Sequence, residues 1–307
     1  MRRSRKPWPG SIVEVEFETA DVFTDRRYAG NPLGLVYGAE ALETEAMQAI
    51  ARELSLPETV FVLPAEAGDA DIRLRIFTPA IELPFAGHPS VGAAVMLARR
   101  LGHPRETLVL QEAAGLVTAH LTRDRSGTPV AAEIEAPLPL AIGPALDRSA
   151  IAACAALPDD AIHVNGHPPL LAGCGAPFAI AEVEDADHLA AALQDVAAMA
   201  RYWPTLPLPP VGLLLHTPLG IGRRRARMFA PLAGILEDPA TGAANVALAG
   251  LLLHLAGGSS LLLEVEQGIE MGRPSQLHLA ARRDADGAIR VRVGGGVVAV
   301  SRGHITL

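Results

Sequence analysis

Two short stretches of the chain place an imidazole and a carboxylate in nearly the same setting. "FAGHPSVGAAV" begins at Phe85 and "LEDPATGAANV" at Leu236; each holds Pro, two variable residues and Gly-Ala-Ala, with His88 before one proline and Asp238 before the other. Each stretch is expected to open a helix. A helix start offers backbone N–H groups without intrahelical partners and a partial positive field, which suits a carboxylate ligand. Two such starts facing one another across a cleft would hold a small anion, with a proton-handling group on either side. Taken singly, each residue also has a local reading, with Asp238 capping its own helix and His88 bonding a nearby loop. Their paired occurrence favours the functional one. Glu58 in "SLPETVF" lies between a helix end and a strand and is a third candidate, although pattern alone does not separate it from Glu53 or Glu82.

The elements that would position these residues read as a repeat. "SIVEVEFETADVF" alternates like a half-buried strand, and "DRRYAGNPLGLVY" turns at Gly30-Asn31-Pro32 into a second one. "ALETEAMQAIARELSLPE" has the spacing of an amphipathic helix. The helix expected after His88 is apolar all round as far as Leu101 and stops at Gly102, and "TGAANVALAGLLLHLAGG" is like it. Such helices belong inside a core. "RIFTP" at Arg75 resembles "RMFAP" at Arg227, and "TLVLQEAAG" at Thr107 resembles "SLLLEVEQG" at Ser260. Strand, loop, buried helix, Gly turn and strand thus recur in order, which points to duplication and two domains of one kind.

Composition narrows the function classes. The chain has 307 residues, 50% hydrophobic and 20% charged, with a formal net charge of −8. That supports two folded domains and gives no basic surplus for nucleic acid. "GRRRARMF" at Gly222–Phe229 reads as a strand with one solvated, arginine-bearing face. The basic start "MRRSRKPWPG" lacks the apolar segment of an export signal and reads as a loose tail over 1–11. No stretch reaches the ~18 apolar residues of a membrane span. Cys154 and Cys174 form no CxxC pair, so a reduced, cytoplasmic protein is expected.

"DVFTDRRYAGNPLGLV", "IARELSLPETVFV", "IRLRIFTPAIELPFAGHPSVGAA" and "EDPATGAA" together resemble the phenazine-biosynthesis PhzF-like family, within the wider diaminopimelate epimerase and proline racemase group. The resemblance implies an α+β, diaminopimelate-epimerase-like fold: two similar domains, each a barrel-like sheet around a central helix, with the active site between them. It implies a first domain over 12–127 completed by a returning strand over 296–307, and a second over 128–295. It also implies a homodimer and a reaction without metal or organic cofactor, the isomerisation of trans-2,3-dihydro-3-hydroxyanthranilate or a similar small carboxylate. By the same resemblance Glu58 is the acid/base, while His88 and Asp238 orient the substrate and tune the charge at Glu58. Asn31, Gly87, Pro89, Ser90, Thr241, Gly242, Ala243 and Arg273 would line or close the substrate site. Where the family commonly has Ser after "TG", this chain has Ala243, which bears on the substrate more than on proton transfer. An epimerase, racemase or lyase acting on a small amino or hydroxy acid, or an inactive anion-binding protein, are the alternatives. The two facing thiols of the racemase branch would fall at His88 and Ala243, so two-thiol chemistry is not expected.

Other motifs offer less. Gly294–Gly296 reads as a turn rather than a phosphate loop. His163 and His167 in "HVNGHP" have a spacing open to metal but no accompanying frame, and no metal is expected there.

Overall fold

The computed structural model describes residues 14–307. The tail expected over 1–11 and the first residues of the opening strand lie outside them. The first half contains β1 (Glu14–Val22), β2 (Asn31–Tyr37), α1 (Thr44–Leu54), β3 (Glu58–Leu63), β4 (Ile72–Phe77), β5 (Glu82–Leu83), α2 (Gly87–Leu101), β6 (Thr107–Glu112), β7 (Gly115–Arg123) and β8 (Pro129–Glu135). After it come β9 (Ala141–Ala145), α3 (Arg148–Cys154), β10 (Ile162–His163), β11 (Leu170–Gly173), β12 (Phe178–Val183), α4 (Ala186–Ala191) and α5 (Val196–Tyr202). The chain ends with β13 (Leu213–Gly220), β14 (Arg223–Ala230), β15 (Ile235–Asp238), α6 (Gly242–Ala256), β16 (Ser260–Gln267), β17 (Ser275–Arg283) and β18 (Ile289–Thr306).

The pairing closes a ring in the first half. β1 pairs with β2, β2 with β3, β3 with β4, β4 with β6, β6 with β7, β7 with β8, and β8 with β18, which returns to β1. α2 runs through this eight-stranded barrel and packs on β8, β18, β1 and β7. Its residues from His88 to Ala98 are all buried, so a side chain projecting in any direction meets sheet. It ends where Gly102 takes a left-handed conformation, φ +58°. Gly92 is needed where α2 crosses β1 and β2, since a Cβ there would come within 2.4 Å of Leu33 and 2.7 Å of Val22.

The second half repeats this plan. β14 and β16 run parallel on either side of α6, as β4 and β6 do for α2. β12 and β13 are parallel across α4 and α5, as β2 and β3 are across α1. The Leu140 N–H bonds the Ile289 carbonyl at 2.8 Å and draws the chain before β9 onto β18. β18 serves both halves, pairing with β17 over Ile289–Gly294 and with β1 over Val297–Thr306. Gly294–Gly296 therefore lie in strand, where β8 and the loop after β1 approach too closely for a Cβ; the expected turn is not formed. No helix among the described residues is long and apolar enough to cross a membrane.

Two local expectations need correction. The repeated "PxxGAA" does not mark equivalent helix positions: Pro89 is the third residue of α2, whereas Pro239 stands three residues before α6. β15 carries extended chain as far as Asp238, while β5 ends at Leu83 and lets α2 start sooner. The arginine strand is solvated only at its beginning. Arg227 is 4% exposed, bonds Glu237 at 2.8 and 2.9 Å, and donates to the Leu189, Ala190 and Ala192 carbonyls around the end of α4. Three acceptors at a helix C-terminus and a carboxylate engage all three nitrogens of the buried guanidinium.

Candidate active site

Glu58 is presented by a rigid junction. α1 ends at Ser55 in a left-handed turn, and β3 starts at once, with Glu58 beside Leu33 of the parallel strand β2. On the other side, α2 brings His88 in from its first turn. His88 Nε2 lies 3.3 Å from the Pro32 carbonyl, and Nδ1 lies 3.4 Å from Glu58 Oε2. A carbonyl only accepts, so Nε2 carries the proton and Nδ1 turns a lone pair toward Glu58. The second half delivers Asp238 from the end of β15. Asn31 Nδ2, across the interface, donates to Asp238 Oδ1 at 2.8 Å and to the Ala240 carbonyl at 2.9 Å. Thr241 Oγ1 donates to Asp238 Oδ2 at 2.5 Å.

Burial sets the proton affinities apart. Burial pushes the Glu58 carboxyl up to about 8, helped by the negative charge of Asp238. Asp238 is also raised by burial, but the bonds from Thr241 and Asn31 favour its ionised form and hold it to about 6. Burial lowers His88 to about 3, against the opposing effect of the Pro32 carbonyl, so the imidazole is neutral. The short approach of His88 to Glu58 is therefore not an ion pair at neutral pH. It is a protonated carboxyl facing a bare imidazole nitrogen. Glu58 Oε2 and Asn31 Oδ1 are buried without a hydrogen-bond partner among the described residues. A constellation of one high-affinity carboxyl, one lower carboxyl and one neutral imidazole can take a proton from carbon, hold it and return it.

The family-model comparison matches residues 20–303 to "Phenazine biosynthesis-like protein", the PhzC-PhzF family. The chain belongs to this family. It is 36% identical over 294 residues to an uncharacterised isomerase of Mesorhizobium japonicum, covering 93% of this chain and 96% of that protein. It is 35% identical over 297 residues to the trans-2,3-dihydro-3-hydroxyanthranilate isomerase of Pseudomonas chlororaphis, covering 94% of this chain and 98% of that enzyme. The fold matches a Bacillus anthracis PhzF-family structure with TM-score 0.85 and 23% identity, covering 96% of this chain and 100% of the other. More distantly, it matches a hydroxyproline epimerase from Agrobacterium vitis with TM-score 0.64 and 15% identity, covering 96% and 93%. The chain is thus a PhzF-like isomerase with the α+β fold of that group.

The remaining residues expected to line the site divide into three kinds. The N–H groups of Gly87, His88, Gly242 and Ala243 have no partner among the described residues and remain as donors at the two helix starts. Pro89 has no N–H, and Ser90 is committed elsewhere: its N–H bonds the Ala86 carbonyl and its hydroxyl lies 2.6 Å from Glu112 and 2.7 Å from the Ala86 carbonyl. Neither supplies a free donor. Thr241 is similarly engaged, its N–H on Gln267 and its hydroxyl on Asp238. Arg273 ties the two halves together, as a residue that closes the site would. Its guanidinium reaches from the second half to the Gly30 and Ala29 carbonyls at 2.8 Å each and to Asp21 at 2.6 Å, fixing the turn that carries Asn31.

Sequence reasoning passed over the two residues that brace the helix starts. Glu112 holds Ser90, with its carboxyl pushed up to about 7 by burial. Gln267 donates to the Asp238 carbonyl at 2.7 Å and accepts from Asn245 at 2.8 Å. The signal was alternation. Leu108, Leu110 and Glu112 share the core face of β6, as Leu263, Val265 and Gln267 do on β16. A polar residue that ends a core-facing row has a partner inside.

Proposed function

We propose that the chain is a cofactor-independent isomerase that moves a proton between two carbons of a small unsaturated or cyclic carboxylate, with Glu58 as the acid/base. The observation that carries this reading is the unpartnered, buried Glu58 carboxyl at about 8, facing the bare Nδ1 of His88 where the two halves meet. The fraction of Glu58 that is ionised, small at neutral pH and growing toward about pH 8, takes the proton from a carbon next to an electron-withdrawing group, and the electron pair passes into the conjugated system. The same carboxyl then returns the proton to a second carbon, so atoms and charge balance without a redox partner. The free N–H groups of Gly87, His88, Gly242 and Ala243 would receive the substrate carboxylate, whose own charge would sit against the helix dipoles. Asp238 and His88 would orient its polar groups.

The naming of relatives makes trans-2,3-dihydro-3-hydroxyanthranilate the first substrate to test, followed by analogues that suit a site with Ala243 in place of a hydroxyl. Two-thiol racemisation has no support. Cys154 and Cys174 are buried core residues whose thiols are pushed up to about 12 by burial. The same reading divides the chain near residue 128, assigns 296–307 to the first domain, and includes a cytoplasmic homodimer; light scattering that gives the mass of one chain would remove the dimer.

The test is an NMR screen in heavy water over dihydro-hydroxyanthranilate analogues, amino acids and hydroxyproline-like acids. Exchange of a carbon-bound proton together with a moved double bond supports the isomerase. Exchange with inverted configuration and no moved bond would replace it with an epimerase, and binding without exchange would leave an anion-binding protein.

A further inference from the structure

Away from Glu58, the second half places two histidines and a glutamate against one another. His216 lies on β13 and Glu182 on β12, directly opposite each other in the parallel ladder. Leu214 and Ile180 share their face and belong to the core around α6, so both polar side chains point to the core side of the second half's sheet. His167 arrives from the loop before β11. His163 does not join it; that ring pairs with Glu184 at 2.9 Å. His167 and His216 are 2% and 0% exposed, and their Nε2 atoms are 3.0 Å apart. None of the three residues bonds to Glu58, His88, Asn31 or Asp238.

The protonation states expose an incomplete arrangement. His167 Nδ1 lies 2.7 Å from the Pro168 carbonyl, so it carries the proton and Nε2 is a bare acceptor. His216 must then donate through Nε2, which leaves its Nδ1 bare. That atom is buried with no partner among the described residues, and Glu182 Oε2 is 4.0 Å away. Two imidazoles that turn the same nitrogen toward one point, one already oriented by a backbone carbonyl, are arranged as metal ligands are. Two nitrogens on a tetrahedral ion at ~2.05 Å are ~3.3 Å apart, a few tenths of an ångström from the spacing here. One ligand atom from each of His167, Glu182 and His216 lies within 4.8 Å of the others.

We propose that His167, His216 and Glu182 bind a divalent transition-metal ion of the zinc class, with a solvent molecule in the fourth position. Binding through Nε2 moves the His216 proton to Nδ1 and so removes the orphaned bare acceptor. The carboxylate offsets one charge of the ion, which matters because Arg224 is close enough to act on His216 electrostatically. Two imidazoles and one carboxylate favour zinc, cobalt or nickel over magnesium or calcium, which take oxygen ligands.

The experiment uses untagged chain stripped with a chelator and titrated with Co²⁺, then with Zn²⁺ in competition. A tetrahedral cobalt spectrum at one ion per chain, displaced by Zn²⁺, is the expected result, with a rise in Tm that scales with free metal. His167→Gln and Glu182→Gln should each weaken binding roughly a hundredfold, whereas His163→Gln should leave it unchanged. If His167→Gln does not fold, Glu182→Gln and the wild-type cobalt spectrum decide the matter. Folded wild-type chain with no cobalt spectrum overturns the proposal. So does binding that survives Glu182→Gln but is lost in His163→Gln.

Discussion

At the entrance of α2 a hydroxyl meets a carboxyl, Ser90 on Glu112; at the entrance of α6 an amide meets an amide, Asn245 on Gln267. The two pairs are the same device. Gly87 corresponds to Gly242, His88 to Ala243, Ser90 to Asn245 and Glu112 to Gln267, always at the same interval along the chain and in the same place in helix and strand. Under this register His88 answers to Ala243, and Asp238 has its own origin on β15. The repeat therefore builds two anion-ready helix starts, and the chemistry is added unequally around them. His88 stands on one helix, Asp238 stands ahead of the other, and Glu58 comes from the junction beside β2. The unequal hydrogen bonding of the two carboxyls, none to Glu58 and those of Thr241, Asn31 and the Ala240 backbone to Asp238, separates their proton affinities.

The largest effect expected from breaking this inequality is at Glu58. Glu58→Gln keeps the shape and removes the base, so the carbon-proton exchange rate should fall by about 10²–10⁴-fold. Binding of an unreactive carboxylate should stay within about tenfold, ~1.4 kcal/mol. The folded chain holds the Glu58 proton up to about pH 8, while an ordinary glutamate releases it near 4.5. Folding thus takes up a proton in that window, and stability falls as pH rises through it. Gln carries no such proton. Melting temperatures should show the variant gaining on wild type from pH 5 to pH 9. A near-wild-type exchange rate would make Glu58 a junction residue and end the proposed mechanism.

Next in size is Asp238→Asn, which removes the charge that helps raise Glu58 but keeps an oxygen for Asn31. Turnover should drop by roughly ten- to a hundredfold through lost orientation. The acidic limb of the pH–rate profile, which reports ionisation of Glu58, should move to lower pH, because a like charge has gone. An unmoved limb would mean that burial alone sets the Glu58 proton affinity.

How far the sequence reveals this architecture depends on the residue. The two central helices were legible because they are apolar on every side, and Gly102 and Gly257 end them as their sequence suggests. The returning strand and the role of Glu58 came only with the family resemblance; periodicity could not choose Glu58 over Glu53 or Glu82. The repeat was found but set out of step. Matching "PxxGAA" laid Ser90 against Ala240, and so hid its kinship with Asn245. Arg227 was misread because its guanidinium's acceptors include backbone carbonyls from a remote helix end, which leave no mark in the sequence.

Smaller effects should come from the braces themselves. Glu112→Ala and Gln267→Ala each remove buried hydrogen bonds at a helix start and leave a cavity, which costs about 1–3 kcal/mol in denaturant unfolding. The two losses should be similar if the pairs are equivalent, and a loss confined to Gln267 would break the equivalence. Glu112→Gln makes the first entrance resemble the second. Its carboxyl, pushed up to about 7 in the folded chain, binds a proton that the unfolded chain has released above about 4.5. Wild type should therefore lose stability relative to this variant between pH 5 and pH 7. Parallel stability curves would show that the Ser90 bond keeps Glu112 ionised.

The smallest change tests the one corresponding pair in which a ring faces a methyl group, His88 and Ala243. Ala243 is partly exposed in the first turn of α6, and its N–H is free, so a hydroxyl there would stand beside the proposed carboxylate site. Ala243→Ser should change stability by less than about 0.5 kcal/mol, as expected for a site away from special packing. A hydroxyl that meets the carboxylate before and during proton transfer stabilises both states alike, so KM should fall by up to about tenfold with kcat unchanged. The gain should depend on the substrate, being largest for a ligand with an acceptor at that point and absent for a methyl ester. An unchanged KM for every carboxylate tested would place the anion elsewhere and leave the second helix start as architecture alone. A fall in kcat without a change in KM would instead show that Ala243 reserves space that the substrate needs as its proton moves.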